Sequence, residues 1–139
     1  MLYYIFDSAL GDAVLGSLDI RSVLKLRFSF NRKNCITQLI YKILNNKTNK
    51  EWISISKILL AEEFIREFRD RVHWIYISYI QKLSEKFIRE FRDRVKWGCV
   101  SLKQKLSEDF IREFRNIVNW YWITRYQNLS IRGFHIRVL

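Results

Sequence analysis

Apolar positions in the second half of the chain recur at a fixed spacing of 23 residues. Phe64, Phe87 and Phe110 share one phase, and Trp74, Trp97 and Trp120 share another. This delimits three units, residues 61–83, 84–106 and 107–129. The first pair is identical at 15 of 23 positions and the second pair at 12 of 23. Self-similarity at one period marks a repeat architecture in which each unit is one supersecondary element.

The pattern inside a unit predicts two short helices. Ser84 or Ser107 opens the first, its hydroxyl placed to accept a free N–H of the first turn. Leu83 and Ile88 hold the positions of a hydrophobic staple, as do Leu106 and Ile111. Glu85 and Glu108 suit the positive end of the helix dipole. Phe87, Ile88, Phe91 and Val95 form one apolar stripe. Opposite charges four residues apart (Glu85 with Arg89, Arg89 with Asp93, Glu90 with Arg94) line the other face. The second helix is expected over about residues 97–104. Trp97, Val100 and Ser101 fall on one face of it, matched by Trp74, Ile77, Ser78 and by Trp120, Ile123, Thr124.

A helix pair this short cannot bury its own apolar face, so stacked neighbours must share a core. The expected fold is all-α: tandem helical hairpins stacked as a short α-solenoid. The hydroxyl column, Ser78, Ser101 and Thr124, would allow close approach between helices. The glutamine column, Gln81, Gln104 and Gln127, has two readings. Each side chain hydrogen-bonds backbone at the turn between units, or it faces solvent and persists from recent duplication. The Trp column reads as core in preference to an aromatic ladder on a groove.

The pattern fades upstream. Residues 51–60 resemble the end of a unit with one residue missing, and Trp52 and Ser54 or Ser56 take the expected roles. Residues 37–46 read as a decayed first helix with Leu39, Ile40, Ile43 and Leu44 as its stripe, and residues 45–49 as a loop. Residues 19–30 read as a short helix running into an apolar stretch, and Gly11 and Gly16 break the segment before it. Downstream, Gly133-Phe134-His135 replaces the expected repeat, as a coding frame slipped by one base would produce. The expected organisation is an N-terminal region over 1–59, the three repeats over 60–129, and an irregular tail over 130–139.

Composition narrows the class. The 139 residues are 49% apolar and 16% aromatic, which argues against disorder. No Pro and only 4 Gly argue against a turn-rich sandwich or barrel. Cys35 and Cys99 lie far apart and only His73 and His135 accompany them, which excludes a disulfide scaffold and a Cys/His zinc site. The apolar stretch 1–18 carries Asp7 and Asp12 and no base, unlike a secretory signal, and is too interrupted to span a bilayer. An intracellular, reducing compartment is expected, with no membrane association.

No catalytic motif emerges. Glu67, Glu90 and Glu113 each have Arg neighbours at helical spacing, and a site needed once would not occur three times. His73 shares its column with Lys96 and Asn119, a variable position expected at the surface. Cys99 shares its column with Tyr76 and Trp122 and is expected half-exposed, and Cys35 reads as a small buried hydrophobe. No enzyme activity, metal or cofactor is expected.

The net charge of +11 is uneven. Residues 21–50 carry eight bases and no acid: Arg21, Lys25, Arg27, Arg32, Lys33, Lys42, Lys47 and Lys50. Such a segment can bind phosphate backbone or simply form a solvated face. Repeat proteins hold a scaffold constant and vary the recognition surface. The columns Tyr76/Cys99/Trp122, Tyr79/Leu102/Arg125 and Ile80/Lys103/Tyr126 are variable. They point to Tyr76, Tyr79, Lys103, Trp122, Arg125 and Tyr126 as a face for a protein partner. An uncapped last repeat would also permit end-to-end self-association.

The unit Leu-Ser-Glu-x-Phe-Ile-Arg-Glu-Phe, followed by Val-x-Trp and Ser-x-x-Gln, resembles tandem repeats in proteins of giant DNA viruses of protists, the mimivirus-like group. The resemblance covers residues 60–129 and implies a location in the host cytoplasm or nucleus, with no established activity. Residues 14–26, including Leu18-Asp19 and Ser22-Val23-Leu24, are similar to the core of an F-box but lack the Leu-Pro start of that family. That similarity implies binding to a ubiquitin-ligase adaptor. The sequence thus supports a non-enzymatic scaffold for a protein partner, with nucleic-acid binding through 21–50, an F-box-like adaptor and a decaying duplicate without selected function as alternatives.

Overall fold

The computed structural model describes residues 35–127 and 129. Readings that concern residues 1–34, 128 and 130–139 lie outside them, including the F-box-like segment, five of the eight bases and the altered tail. The described residues form eight helices and no strand. They are α1 (Cys35–Asn45), α2 (Asn49–Ser56), α3 (Glu62–Glu67), α4 (Trp74–Ile80), α5 (Glu85–Glu90), α6 (Trp97–Lys103), α7 (Glu108–Glu113) and α8 (Trp120–Tyr126). The fold is all-α, built from tandem helical hairpins.

The chain divides into two compact units, Met1–His73 and Trp74–Leu139. The boundary falls between the two helices of the first sequence repeat. Aromatic packing explains why a repeat is not itself a packing module. In the second unit, the Trp97 ring lies on Phe110 and Phe114 of the following repeat, at centroid distances of 6.3 and 5.0 Å. Trp74 lies on Phe87 and Phe91 in the same way, at 6.3 and 5.1 Å. Each Trp-bearing helix therefore belongs physically to the Phe-bearing helix that follows it. The Trp rings are half-buried packing elements and stack on phenylalanines.

The first helix is shorter than its apolar stripe. In the second repeat it ends at Glu90, and Phe91 adopts φ −112° and ψ 28° at its C-terminus. The Phe91 carbonyl then accepts from both the Arg94 and Val95 N–H groups, at 2.9 and 3.0 Å. Val95 remains buried because this turn brings it back to the side of the stripe without continuing the helix. The Ser84 hydroxyl accepts from the Phe87 N–H at 3.1 Å, and Ser107 accepts from Phe110 at 3.2 Å. Leu83 and Ile88, the two staple positions, are both buried.

The hydroxyl column does more than permit close approach. Ser78 Oγ donates to the Trp74 carbonyl at 2.8 Å and accepts from the Lys96 N–H at 2.9 Å. Ser101 Oγ accepts from the Asn119 N–H at 2.9 Å. Each accepted N–H lies at the start of the next repeat's second helix, where backbone donors lack intrahelical partners. The glutamine column adds a second lock. Gln104 Oε1 accepts from the Leu83 N–H at 3.0 Å, while Nε2 donates to the Ser78 and Gln81 carbonyls at 3.2 and 2.8 Å. Gln127 repeats this with the Leu106 N–H and the Ser101 and Gln104 carbonyls. Of the two readings of these glutamines, backbone bonding across the inter-repeat turn is the one observed.

The first unit shows the same arrangement in modified form. Trp52 packs on Phe64 and Phe68 at 6.3 and 5.3 Å, and Tyr41 of α1 lies 5.2 Å from Phe68. Ser56 Oγ donates to the Trp52 carbonyl and accepts from the His73 N–H, both at 2.8 Å. The residues joined are 17 apart here and 18 apart at Ser78 and Lys96, so the deleted residue leaves the lock intact. Trp97 donates its indole N–H to the carbonyl five residues earlier, Arg92. At Trp52 the corresponding carbonyl, Lys47, accepts instead from Arg71 Nη2 at 2.8 Å, with the guanidinium 5.4 Å from the Trp52 ring centre. The displaced Trp52 Nε1 is buried and makes no hydrogen bond.

Candidate interaction surface

Within the second unit, α6 packs against both α4 and α8. The three Trp-bearing helices thus form one continuous layer. Their buried positions are occupied by Ile77, Val100 and Ile123, and by Ser78 and Ser101. The positions facing away from the core are the variable ones.

Among the six residues expected to form a partner face, Tyr79, Lys103, Arg125 and Tyr126 are exposed, and Tyr76 and Trp122 are half-buried. The Lys103 ammonium lies 4.5 Å from the Tyr79 ring centre, joining α6 to α4 through a cation–π contact. Trp122 lies 5.7 Å from Tyr126 one turn along α8. Arg125 donates from Nη1 to the Tyr121 hydroxyl at 3.2 Å, and the Tyr121 ring meets Trp122 edge-on at 4.7 Å. The structure therefore brings five of the six expected residues into one contact across α4 and α6 (Tyr79, Lys103) and one cluster on α8 (Trp122, Arg125, Tyr126).

Three residues of this surface were missed. Ile75 and Tyr121 are exposed at 47% and 59%, and Gly98 occupies the same column between them. A Cβ at Gly98 would meet nothing within 4 Å. The signal was available: Ile75/Gly98/Tyr121 varies as strongly as the three columns selected.

The charged first helices form a different surface. Arg89 pairs with Glu85 on its own helix at 3.8 Å and with Glu113 of the next repeat at 2.8 Å. Its guanidinium also lies 4.9 Å from the Phe110 ring centre. Glu85 Oε1 accepts from the Ser107 N–H at 2.6 Å. Charges that the spacing assigns to solvated pairs on one helix therefore also bridge consecutive repeats.

The basic segment is only partly described. Lys42 and Lys50 are exposed. Lys47 Nζ pairs with Glu51 Oε1 at 2.9 Å. Glu51 completes a capping box with Thr48, and these bonds to Thr48 and Lys47 hold its carboxyl down to about 2 from an ordinary 4.5. His73 departs from its expected surface position: it is half-buried and its Nδ1 is enclosed, whereas Lys96 and Asn119, which make the same backbone bond to a serine, are exposed. Cys99 is half-buried with a free thiol. No group of three His, Cys, Asp or Glu among the described residues is placed to hold a metal ion. No helix among the described residues is long and apolar enough to cross a membrane.

No family model, curated protein or solved structure matches the chain.

Proposed function

We propose that the chain is a non-enzymatic repeat scaffold that binds a protein partner through the outward face of α4, α6 and α8. The observation that carries this reading is the convergence of the variable columns on one layer of helices, illustrated by the Lys103–Tyr79 contact between successive repeats. Tyr, Trp and Arg side chains, present here as Tyr79, Trp122, Arg125 and Tyr126, are the groups that supply most binding energy at protein interfaces. The positions beneath them, by contrast, are held nearly constant and are occupied by the core and by the Ser and Gln locks. The resemblance of the unit to giant-virus repeats and the scarcity of cysteine support an intracellular setting.

The test is affinity capture from host-cell lysate at low and moderate salt, with and without nuclease, using wild type, Tyr79→Ala and Trp122→Ala. A partner that survives salt and nuclease and is lost with either substitution supports the scaffold reading. Capture abolished by nuclease and by salt would transfer function to the basic segment 21–50, because phosphate contacts release counterions.

A further inference from the structure

Taking that outward face as the interaction surface, we propose that its partner is an acidic peptide segment that seats an apolar or aromatic side chain over α6. Charge and relief point to this together. Helices α4, α6 and α8 contain no Asp or Glu. In residues 74–127 every carboxylate lies on α5, on α7 or in the turn after α5. Lys103 and Arg125 stand exposed in the last turns of α6 and α8. Nothing on these helices neutralises them, so the layer presents cations without competing anions.

The relief is set by the middle helix. Ile75 on α4 and Tyr121 on α8 stand out from the surface, whereas Gly98 between them leaves open space. Packed helices lie about 8–10 Å apart, so α4 and α8 flank α6 at about twice that spacing, and the low ground between Ile75 and Tyr121 has room for a large side chain. One wall is aliphatic (Ile75), the other is aromatic (Tyr121) and the far end is cationic, which suits a bulky side chain flanked by carboxylates.

Single-stranded nucleic acid fits less well. Bases need open ring faces for stacking. Here Lys103 already lies over the Tyr79 ring and Arg125 over Tyr121, at 4.5 and 5.7 Å. An ammonium on a ring face keeps N–H donors for a carboxylate, and a guanidinium does likewise.

The experiment is selection of random phage-displayed short peptides on the full chain, followed by fluorescence-anisotropy titration of the selected peptides. The expected consensus is an aromatic or large aliphatic residue flanked by Asp or Glu. Gly98→Phe fills the low ground and is expected to weaken binding by about tenfold or more. Its far-UV circular dichroism should be unchanged, because Phe is a better helix residue than Gly and its Cβ enters open space at an exposed position. Lys103→Glu combined with Arg125→Glu should abolish binding of the acidic peptides and favour their Lys-substituted versions.

Neutral or basic peptides whose binding is lost with Trp122→Ala would keep the surface and overturn the acidic partner. Peptides insensitive to both Trp122→Ala and Gly98→Phe would overturn the surface as well. Failure to enrich any peptide overturns the proposal. So does tighter binding of a single-stranded oligouridylate that Gly98→Phe abolishes.

Discussion

The Ser78 hydroxyl accepts the Lys96 N–H at 2.9 Å while sending its own proton to the Trp74 carbonyl at 2.8 Å. One buried oxygen thus ties a helix to the start of its counterpart in the next repeat. Ser78→Ala leaves the Lys96 N–H without this acceptor, at a bond whose serine side is fully buried. The expected loss is about 1–3 kcal/mol, read from urea unfolding. Thr124 holds the same column on α8 but is exposed. Thr124→Ala should cost less than about 0.5 kcal/mol, since exposed substitutions away from special features are nearly neutral.

Gln104 makes three hydrogen bonds, two of which a carboxylate cannot reproduce. Gln104→Glu keeps the acceptor for the Leu83 N–H but loses the donor to the Ser78 and Gln81 carbonyls. The ionised side chain would face two carbonyl oxygens in a buried site, so the folded state favours its protonated form. The carboxyl pKa of this variant is therefore raised on folding. Its stability deficit should be largest at neutral pH and shrink as the pH falls, which thermal unfolding across acidic pH would measure. A deficit independent of pH would refute this account.

Glu51 behaves in the opposite sense. Its carboxyl is held down to about 2 from 4.5 by the Thr48 backbone N–H first and by the Lys47 and Thr48 side chains after it. A depressed folded-state value stabilises above the unfolded value and is lost as pH falls toward the folded one. Thermal stability should therefore decline between pH 4.5 and about 2 by a component that Glu51→Gln removes. NMR titration of the Glu51 side chain gives the value directly.

The bridge between Arg89 and Glu113 is short but exposed, with both side chains more than a third accessible. A double-mutant cycle with Arg89→Ala and Glu113→Ala should give a coupling of no more than about 1 kcal/mol, falling with added salt. A coupling above about 2 kcal/mol that ignores salt would assign this pair a structural role it is not expected to have.

Much of the architecture was legible because it depends on local chemistry. Ser84 and Ser107 caps, the buried Phe-Ile pairs and the start of each second helix at Trp follow from residue type and spacing. The length of the first helix did not. Phe91 and Val95 continue the stripe, yet the helix ends before them because the Phe91 carbonyl closes a tighter turn. The exposed layer was legible in part: column variability selected Tyr79, Lys103 and Arg125, all exposed, and the same criterion applied to Ile75, Gly98 and Tyr121 would have added the low ground between them.

The 23-residue period, the helical hairpin and the residues free to vary were determined by sequence alone, since each is a property of spacing and side-chain type. Tertiary structure decided which helix belongs to which. A sequence repeat begins wherever its first copy is cut, but a Trp ring packs on whichever phenylalanines lie beneath it, and these belong to the next repeat. It also decided what Ser78 and Gln104 bond to, because their partners lie 18 to 26 residues away and have no signature in the local pattern. The contact of Lys103 with Tyr79 arises in the same way, from two helices laid side by side.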